Sequence, residues 1–321
     1  MIKELEDTFI SDVIEGLSDS PKHLSSKYFY DKKGDELFVK ITELPEYYLT
    51  RAEIEILSQQ GHKIIQALGL DKGICEVIEL GAGVGQKSAL LLKRAAMNPD
   101  LTFIPIDIST NSLSIISKRF QKEFPHMKVH PVQGEYMSIL NTFDKDKNKV
   151  ILFFGSNIGN LTEKLAKIFI KSLSEKMTIG DKILLGLDLK KSASIILPAY
   201  DDSSGITREF NLNLLDRINR ELGADFDLNN YKHHPVYDEE VGEARSYLIS
   251  LKKQRVYFQS IDRYFQFTKG EEILTEISQK YDDKKLNNIL ENSGLRINEK
   301  YTDRADQFAD YLLEKIDMSS S

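Results

Sequence analysis

From residue 74 to about Leu187 the chain alternates short apolar, β-branched runs with helical patterns. In order these are "ICEVIEL", "KSALLLKRAA", "TFIPIDI", "NSLSIISKRFQKEF", "MKVHPVQ", "KVILFFG", "TEKLAKIFIKSLSEKM" and "DKILLGL". A strand that is apolar along its whole length has to be covered on both faces, and the intervening helices supply that cover. The pattern therefore predicts a doubly wound α/β domain built on a parallel sheet. Ligands of such sheets bind beyond the carboxyl ends of the strands, so the residues just after each strand carry the chemistry.

After the first strand comes "ELGAGVGQKS", Glu79 to Ser88. Glycines there let the backbone turn tightly and approach a ligand closely, with a helix N-terminus nearby. Gly81, Gly83 and Gly85 lack the third glycine of G-x-G-x-x-G, and the stretch does not contain G-x-x-x-x-G-K-[ST]. That excludes a P-loop and disfavours a dinucleotide fingerprint. Glu79 before the turn and Asp107, which ends the second strand in "PIDIS", look instead like an S-adenosylmethionine methyltransferase. In those enzymes the turn faces the methionine end of the cofactor and a strand-two carboxylate accepts both ribose hydroxyls. Capping the helix that "DIST" starts is the competing role for Asp107. "GEY", Gly134 to Tyr136, stands where such enzymes contact adenine, and "FFGSNIGNL" places Ser156, Asn157 and Asn160 at the catalytic edge.

The flanks do not continue the alternation. A turn in "AYDDSSG" opens a helix over Ile206 to Leu222, and "EARSYLISLKK", "RVYFQS" and "YFQFTKGEEILTEIS" alternate as antiparallel strands with one solvated face do. "HHP", His233 to Pro235, reads as a loop. "KKLNNILENSGL" and "LRINEKYTDRADQFADYLLEK" return to finish the α/β sheet. The expected organisation is a Rossmann-like class I methyltransferase domain, 61–194 plus 283–321, with a second, strand-containing α+β substrate-binding domain, 1–60 plus 195–282.

Charge and composition narrow the partners. A net charge of −7 and the lack of a basic stripe argue against nucleic acid. No apolar stretch approaches the roughly 20 residues that span a bilayer, and Met1 to Leu17 is too acidic for a signal peptide. The single Cys75 lies in an apolar run, which makes it a core residue and excludes an internal disulfide. Its six histidines show no ligand spacing, so no metal site is expected. A monomeric cytoplasmic protein acting on a small molecule, with no nucleic acid and no membrane as partner, is the expectation.

Several motifs lie outside any generic methyltransferase core. "YFYDKKGDELFVKITELPEYYLTRAE", "ELGAGVGQKS", "FFGSNIGNL", "LLGLDL", "AYDDSSGITREFNLNLLDRINRELGADFD" and "GEEILTEIS" resemble, in order, motifs of the histidine-specific methyltransferase family of ergothioneine biosynthesis. The resemblance covers nearly the whole chain from about Lys22. It implies S-adenosylmethionine-dependent trimethylation of the α-amino group of L-histidine to hercynine; close relatives methylate tryptophan derivatives. Carried over residue by residue, it puts Gly81, Lys87, Asp107, Glu135 and Tyr136 at the cofactor. It puts Tyr30, Tyr47, Asn160, Tyr200, Glu276 and Ser278 around the amino acid, with Tyr30 and Asn160 as the catalytic pair.

The chemistry is consistent with those positions. Asn160 and Tyr200 offer neutral donors for a carboxylate. Glu276 and Ser278, two apart in "TEIS", share one face of a strand and suit an imidazole. Pro45 fixes the backbone ahead of Tyr47 and Tyr48, so that Tyr47 is expected to line the site and Tyr48 to pack inward. Two departures stand out. Glu135 replaces the aspartate usual in the family, and "GEARSYLIS" departs from "RIEMWL" or "RIEMHL", setting Ser246 opposite a pocket methionine. A smaller side chain there leaves methylation of tryptophan or another aromatic amino acid as an alternative. Independently of that position, an inactive cofactor-binding sensor, which would bind S-adenosylmethionine without turnover, is a second.

Overall fold

The central apolar runs form the parallel part of an eight-stranded sheet. The computed structural model describes residues 2–71, 73, 75–135, 139 and 148–317. Tyr136, a cofactor candidate, lies outside the described residues. Helices α1 (Ile2–Ser18), α2 (Lys32–Glu43) and α3 (Tyr48–Leu68) lead in, with the short strand β1 (Lys22–His23) after α1. The alternation follows as β2 (Cys75–Leu80), α4 (Gln86–Leu92), β3 (Leu101–Asp107) and α5 (Thr110–Glu123). It continues through β4 (Lys128–Val129), β5 (Val132–Gln133), β6 (Lys149–Phe153), α6 (Glu163–Glu175) and β7 (Lys182–Asp188). The single strand expected from "MKVHPVQ" is two short ones, because Pro131 between them has no N–H to continue the ladder. Next come α7 (Ile206–Leu222), β8 (Tyr231–Asp238), β9 (Glu243–Ser250), β10 (Gln254–Phe258), β11 (Arg263–Phe267) and β12 (Glu272–Gln279). The chain closes with α8 (Asp283–Leu290), β13 (Leu295–Thr302) and β14 (Phe308–Lys315).

Two units divide these elements, one of Met1–Tyr48 and Lys191–Ser278, the other of Leu49–Lys190 and Gln279–Ser321. In the second, the strand order is β13-β14-β7-β6-β2-β3-β4, with β5 also on β3. Pairs from β4 to β7 run parallel, whereas β14 is antiparallel to both β7 and β13. Strand order reverses between β2 and β6, which makes that junction the switch point of a Rossmann-like sheet. Every residue of β2 and β6 is buried, as a sheet covered on both faces requires. Residues 49–60, expected with the flanking block, belong to this unit instead. Their helix is tied to it by Gln60 Nε2 donating to Thr302 O (2.8 Å) and Arg94 donating to Ser58 O (2.9 Å).

The first unit holds a four-stranded sheet, β1-β12-β9-β8, and the β10–β11 hairpin. "HHP", expected as a loop, is the middle of β8. Pro235 is tolerated because β8 is an edge strand, where a missing N–H leaves no broken ladder bond on the open side. Helix α7 spans the expected residues. Asp202 starts it by accepting from Ile206 N (3.0 Å) and Thr207 N (2.7 Å), and Gly223 in the left-handed region ends it. Asp31 caps α2 through Gly34 N (2.7 Å) and accepts from Asn213 Nδ2 on α7 (2.8 Å). Only glycine fits at position 34, since a Cβ would fall 1.7 Å from Phe29 O.

Candidate active site

Among the described residues, the cofactor candidates lie in the sheet unit, around its switch point. Gly81, Gly83 and Gly85 all have positive φ, and the N–H groups of Gly81 and Ala82 donate to Ile106 O on β3 (2.9 and 3.1 Å). The glycines differ in purpose. A Cβ on Gly85 would stand 2.3 Å from Ile116, so this glycine lets α5 pack, whereas a Cβ on Gly83 would meet nothing within 4 Å. Open space beside Gly83 is what a ligand approaching the backbone needs.

Asp107 borders that space. Its Oδ2 accepts from Gly83 N and its Oδ1 from Ser109 N, both at 2.8 Å. The helix cap is Ser109, whose Oγ accepts from Ser112 N, so the capping role does not fall to Asp107. A carboxylate is an acceptor with about four sites, which suits the donors of a ribose diol. Gly134 N donates to Asp107 O (3.1 Å), which brings the exposed Glu135 to the same edge. These groups fit the ribose and adenine ends of S-adenosylmethionine.

Lys87, on α4, extends its ammonium to 2.5 Å from Glu53 Oε2, and Glu53 accepts from Gly155 N at 3.0 Å. Gly155 opens the turn after β6. Ser156 follows at φ 58°, an uncommon conformation for a residue with a side chain, and its Oγ accepts from Asp188 N (3.0 Å). Asp188 in turn pairs with Lys280 at 2.8 Å, both fully buried. Asn160 ends this anchored turn and is exposed.

Two further carboxyl groups lie inside the same unit. Burial pushes Glu79 up to about 8; Ser88 and Lys87 pull it down, while Glu53 and Asp107 add to the rise. Burial also holds Asp310 well above the carboxylate range, with the charge of Glu53 adding to it. Sequence reasoning missed Glu53 and Asp310. The signal for Glu53 is its place on the buried stripe Leu49, Ala52, Glu53, Ile56 and Leu57 of α3, where an acid needs a partner. Cys75 is buried with its thiol pushed up to about 11, as a core residue and not a nucleophile.

The flanking unit holds the amino acid candidates Tyr30, Tyr47, Tyr200, Glu276 and Ser278. Glu276 and Ser278 lie on one face of β12, the first half-buried and the second buried. Ser246 on β9 donates to Glu276 Oε2 (3.2 Å), and Thr275 Oγ1 lies 2.8 Å from Asn211 Oδ1 and 3.0 Å from Ser246 O. Ser246 is fully buried, so its small side chain backs Glu276. Tyr30 packs its ring against Phe38 (5.6 Å) and Phe210 (5.8 Å), and Phe38 meets the edge of Tyr47 at 6.3 Å. Tyr48 is buried, accepts from Lys191 Nζ (3.0 Å) and lies under its ammonium. Tyr200 is buried after the turn Leu197–Ala199. Among the described residues no helix is long and apolar enough to cross a membrane.

The family described as histidine-specific, S-adenosylmethionine-dependent methyltransferase matches residues 9–315. The chain belongs to that family. It is an S-adenosylmethionine-dependent methyltransferase. Histidine N-alpha-methyltransferase of Mycobacterium tuberculosis (strain CDC 1551 / Oshkosh) is 37% identical over 298 residues, 92% of each chain. Ergothioneine biosynthesis protein 1 of Schizosaccharomyces pombe is 31% identical over 301 residues, 91% of this chain and 39% of that protein. L-tryptophan methyltransferase of Psilocybe serbica is 27% identical over 327 residues, 92% of this chain and 90% of the other.

Proposed function

We propose that this methyltransferase acts on the α-amino group of L-histidine and carries it to the trimethylated product, hercynine, as a step of ergothioneine biosynthesis. Glu276 carries the reading. It is an anionic acceptor held from behind by Ser246, with the Ser278 hydroxyl on the same strand face. An imidazole has two ring nitrogens to satisfy, and a carboxylate with a hydroxyl matches both. An indole has a single N–H and can address only one of those two groups. The 37% identity to a histidine N-alpha-methyltransferase supports the same substrate.

S-adenosylmethionine would supply a sulfonium-bound methyl group, whose carbon a neutral amine can attack in line while the thioether, S-adenosylhomocysteine, leaves with the C–S electron pair. Asp107 would accept from the ribose hydroxyls, Glu135 would accept from the adenine amine, and Lys87 would meet the methionyl carboxylate. Gly81 would keep the backbone of the turn close to the methionyl chain, and Tyr136 is proposed for adenine on the family resemblance alone. Tyr30 positions the substrate amine, Tyr47 and Tyr200 offer hydroxyl donors, and Asn160 offers an amide. Losing a proton after each transfer lets the amine act again, so that up to three methyl groups accumulate. The enzyme acts as a monomer in the cytoplasm.

Incubating the purified protein with S-adenosylmethionine and a panel of amino acids, followed by mass spectrometry, tests the substrate. Histidine gaining up to three methyl groups is the expected result. Tryptophan modified in its place would reverse the reading and favour the alternative set up by Ser246 and the Psilocybe serbica relative.

A further inference from the structure

Glu53 has no role among the cofactor and substrate residues named so far, yet several of their supports meet at it. It lies on α3, fully buried, where a carboxylate is tolerated only with opposite charge and donors around it. Its Oε2 is 2.5 Å from Lys87 Nζ, and both of its oxygens are 3.0 Å from Gly155 N. One side chain thus holds the ammonium presented by α4 and the first residue of the turn after β6.

Missing side chains make room for this arrangement. A Cβ on Gly155 would stand 3.1 Å from Lys87 Nζ. A Cβ on Gly186 would stand 2.3 Å from Glu53 Oε1 and 3.1 Å from Asp310 Oδ1. Asp310 pairs with Gly186 across the β14–β7 ladder and is fully buried, and among the described residues no donor reaches either of its oxygens. Two carboxyl groups in one dry slot do not both ionise. With Asp310 neutral, the Glu53 carboxylate and the Lys87 ammonium balance each other, and Asp310 can donate its proton to Glu53.

We propose that Glu53 is a positioning residue for the methionyl end of the cofactor, holding the Lys87 ammonium and the Gly155 turn in the geometry that receives the carboxylate. This rests on the assignment of Lys87 to that carboxylate. An ammonium has three donors, and the bond to Glu53 leaves two. A lysine tethered in this way has its rotamers chosen before the ligand arrives, which lowers the entropy lost on binding.

The test is a double-mutant cycle on the full chain, reading S-adenosylmethionine affinity by calorimetry and KM for both substrates. Lys87→Met alone should weaken cofactor binding. Glu53→Gln should weaken it roughly tenfold with KM for the amino acid unmoved, and the double variant should bind no more weakly than Lys87→Met. A merely structural glutamate would instead give losses that add in the double variant and shift both KM values together. Either that pattern, or wild-type affinity in Glu53→Gln beside a weakened Lys87→Met, overturns the proposal alone. Unchanged affinity in Lys87→Met would overturn the assignment of the lysine and the proposal with it. Should Glu53→Gln fail to fold, Glu53→Asp takes its place in the cycle, keeping the charge but withdrawing the carboxylate by one methylene.

Discussion

Ser246 and Glu276 meet across adjacent strands of one sheet, the serine hydroxyl donating to Glu276 Oε2 over 3.2 Å. That contact fixes the direction in which the Glu276 carboxylate faces. Ser246→Ala removes the tether without adding volume. Its KM for the amino acid should rise about three- to tenfold, the worth of one hydrogen bond to a half-buried group, with kcat nearly unchanged. Steady-state kinetics decide it, and an unaltered KM would mean that Glu276 is oriented without Ser246.

The adjacent tyrosines where α3 begins separate binding from stability. Tyr48 is buried and accepts from Lys191 Nζ at 3.0 Å, so Tyr48→Phe should cost about 1 kcal/mol of stability and leave the substrate KM alone. Tyr47→Phe keeps the ring that Phe38 contacts at 6.3 Å and removes only the hydroxyl. It should raise KM several-fold with a small change in melting temperature. Thermal melts and KM values for the two variants should therefore move in opposite order.

The sheet unit was legible because a doubly covered parallel sheet demands continuous apolar strands, and residues 75–80 and 149–153 are buried throughout. The flanking sheet was less so. Strand β8 carries Lys232, His234 and Pro235 among its residues, a composition that suits only an edge, and edge status is a property of the pairing and not of the segment. Gly81 and Asp107 could be found from their places after β2 and at the end of β3. Glu53, Lys87, Gly155 and Asp310 come from four distant segments, and no spacing links them. Only the misfit of a glutamate on the buried face of α3 hinted at that group.

Stability of the sheet unit should fall as pH rises toward 8. Burial raises Glu79 from an ordinary 4.5 to about 8, so the folded protein holds a proton that the unfolded chain releases. That contribution is complete below about pH 4.5 and is lost progressively up to about pH 8, at no more than about 1.4 kcal/mol per pH unit. Glu79→Gln replaces the neutral acid with a neutral amide. Relative to wild type, its melting temperature should gain at pH 8 compared with pH 5, and a parallel pair of pH profiles would count against a protonated Glu79.

His233 should impose the opposite slope. It is buried on β8, with Asp201, Asp202, His234 and Arg208 as its charged neighbours, and neither ring nitrogen has a hydrogen-bond partner among the described residues. Burial lowers its pKa from 6.5 to about 4; Asp201 and Asp202 oppose that shift, and His234 and Arg208 reinforce it. Between those values the unfolded chain binds a proton that the folded one refuses, so stability is complete above about pH 6.5 and declines as pH falls toward 4. The loss is again at most about 1.4 kcal/mol per pH unit. His233→Phe fills a similar space with no titratable group. The wild type should lose more melting temperature than the variant between pH 7 and pH 4.5, and an equal loss in both would show that His233 accepts its proton in the fold.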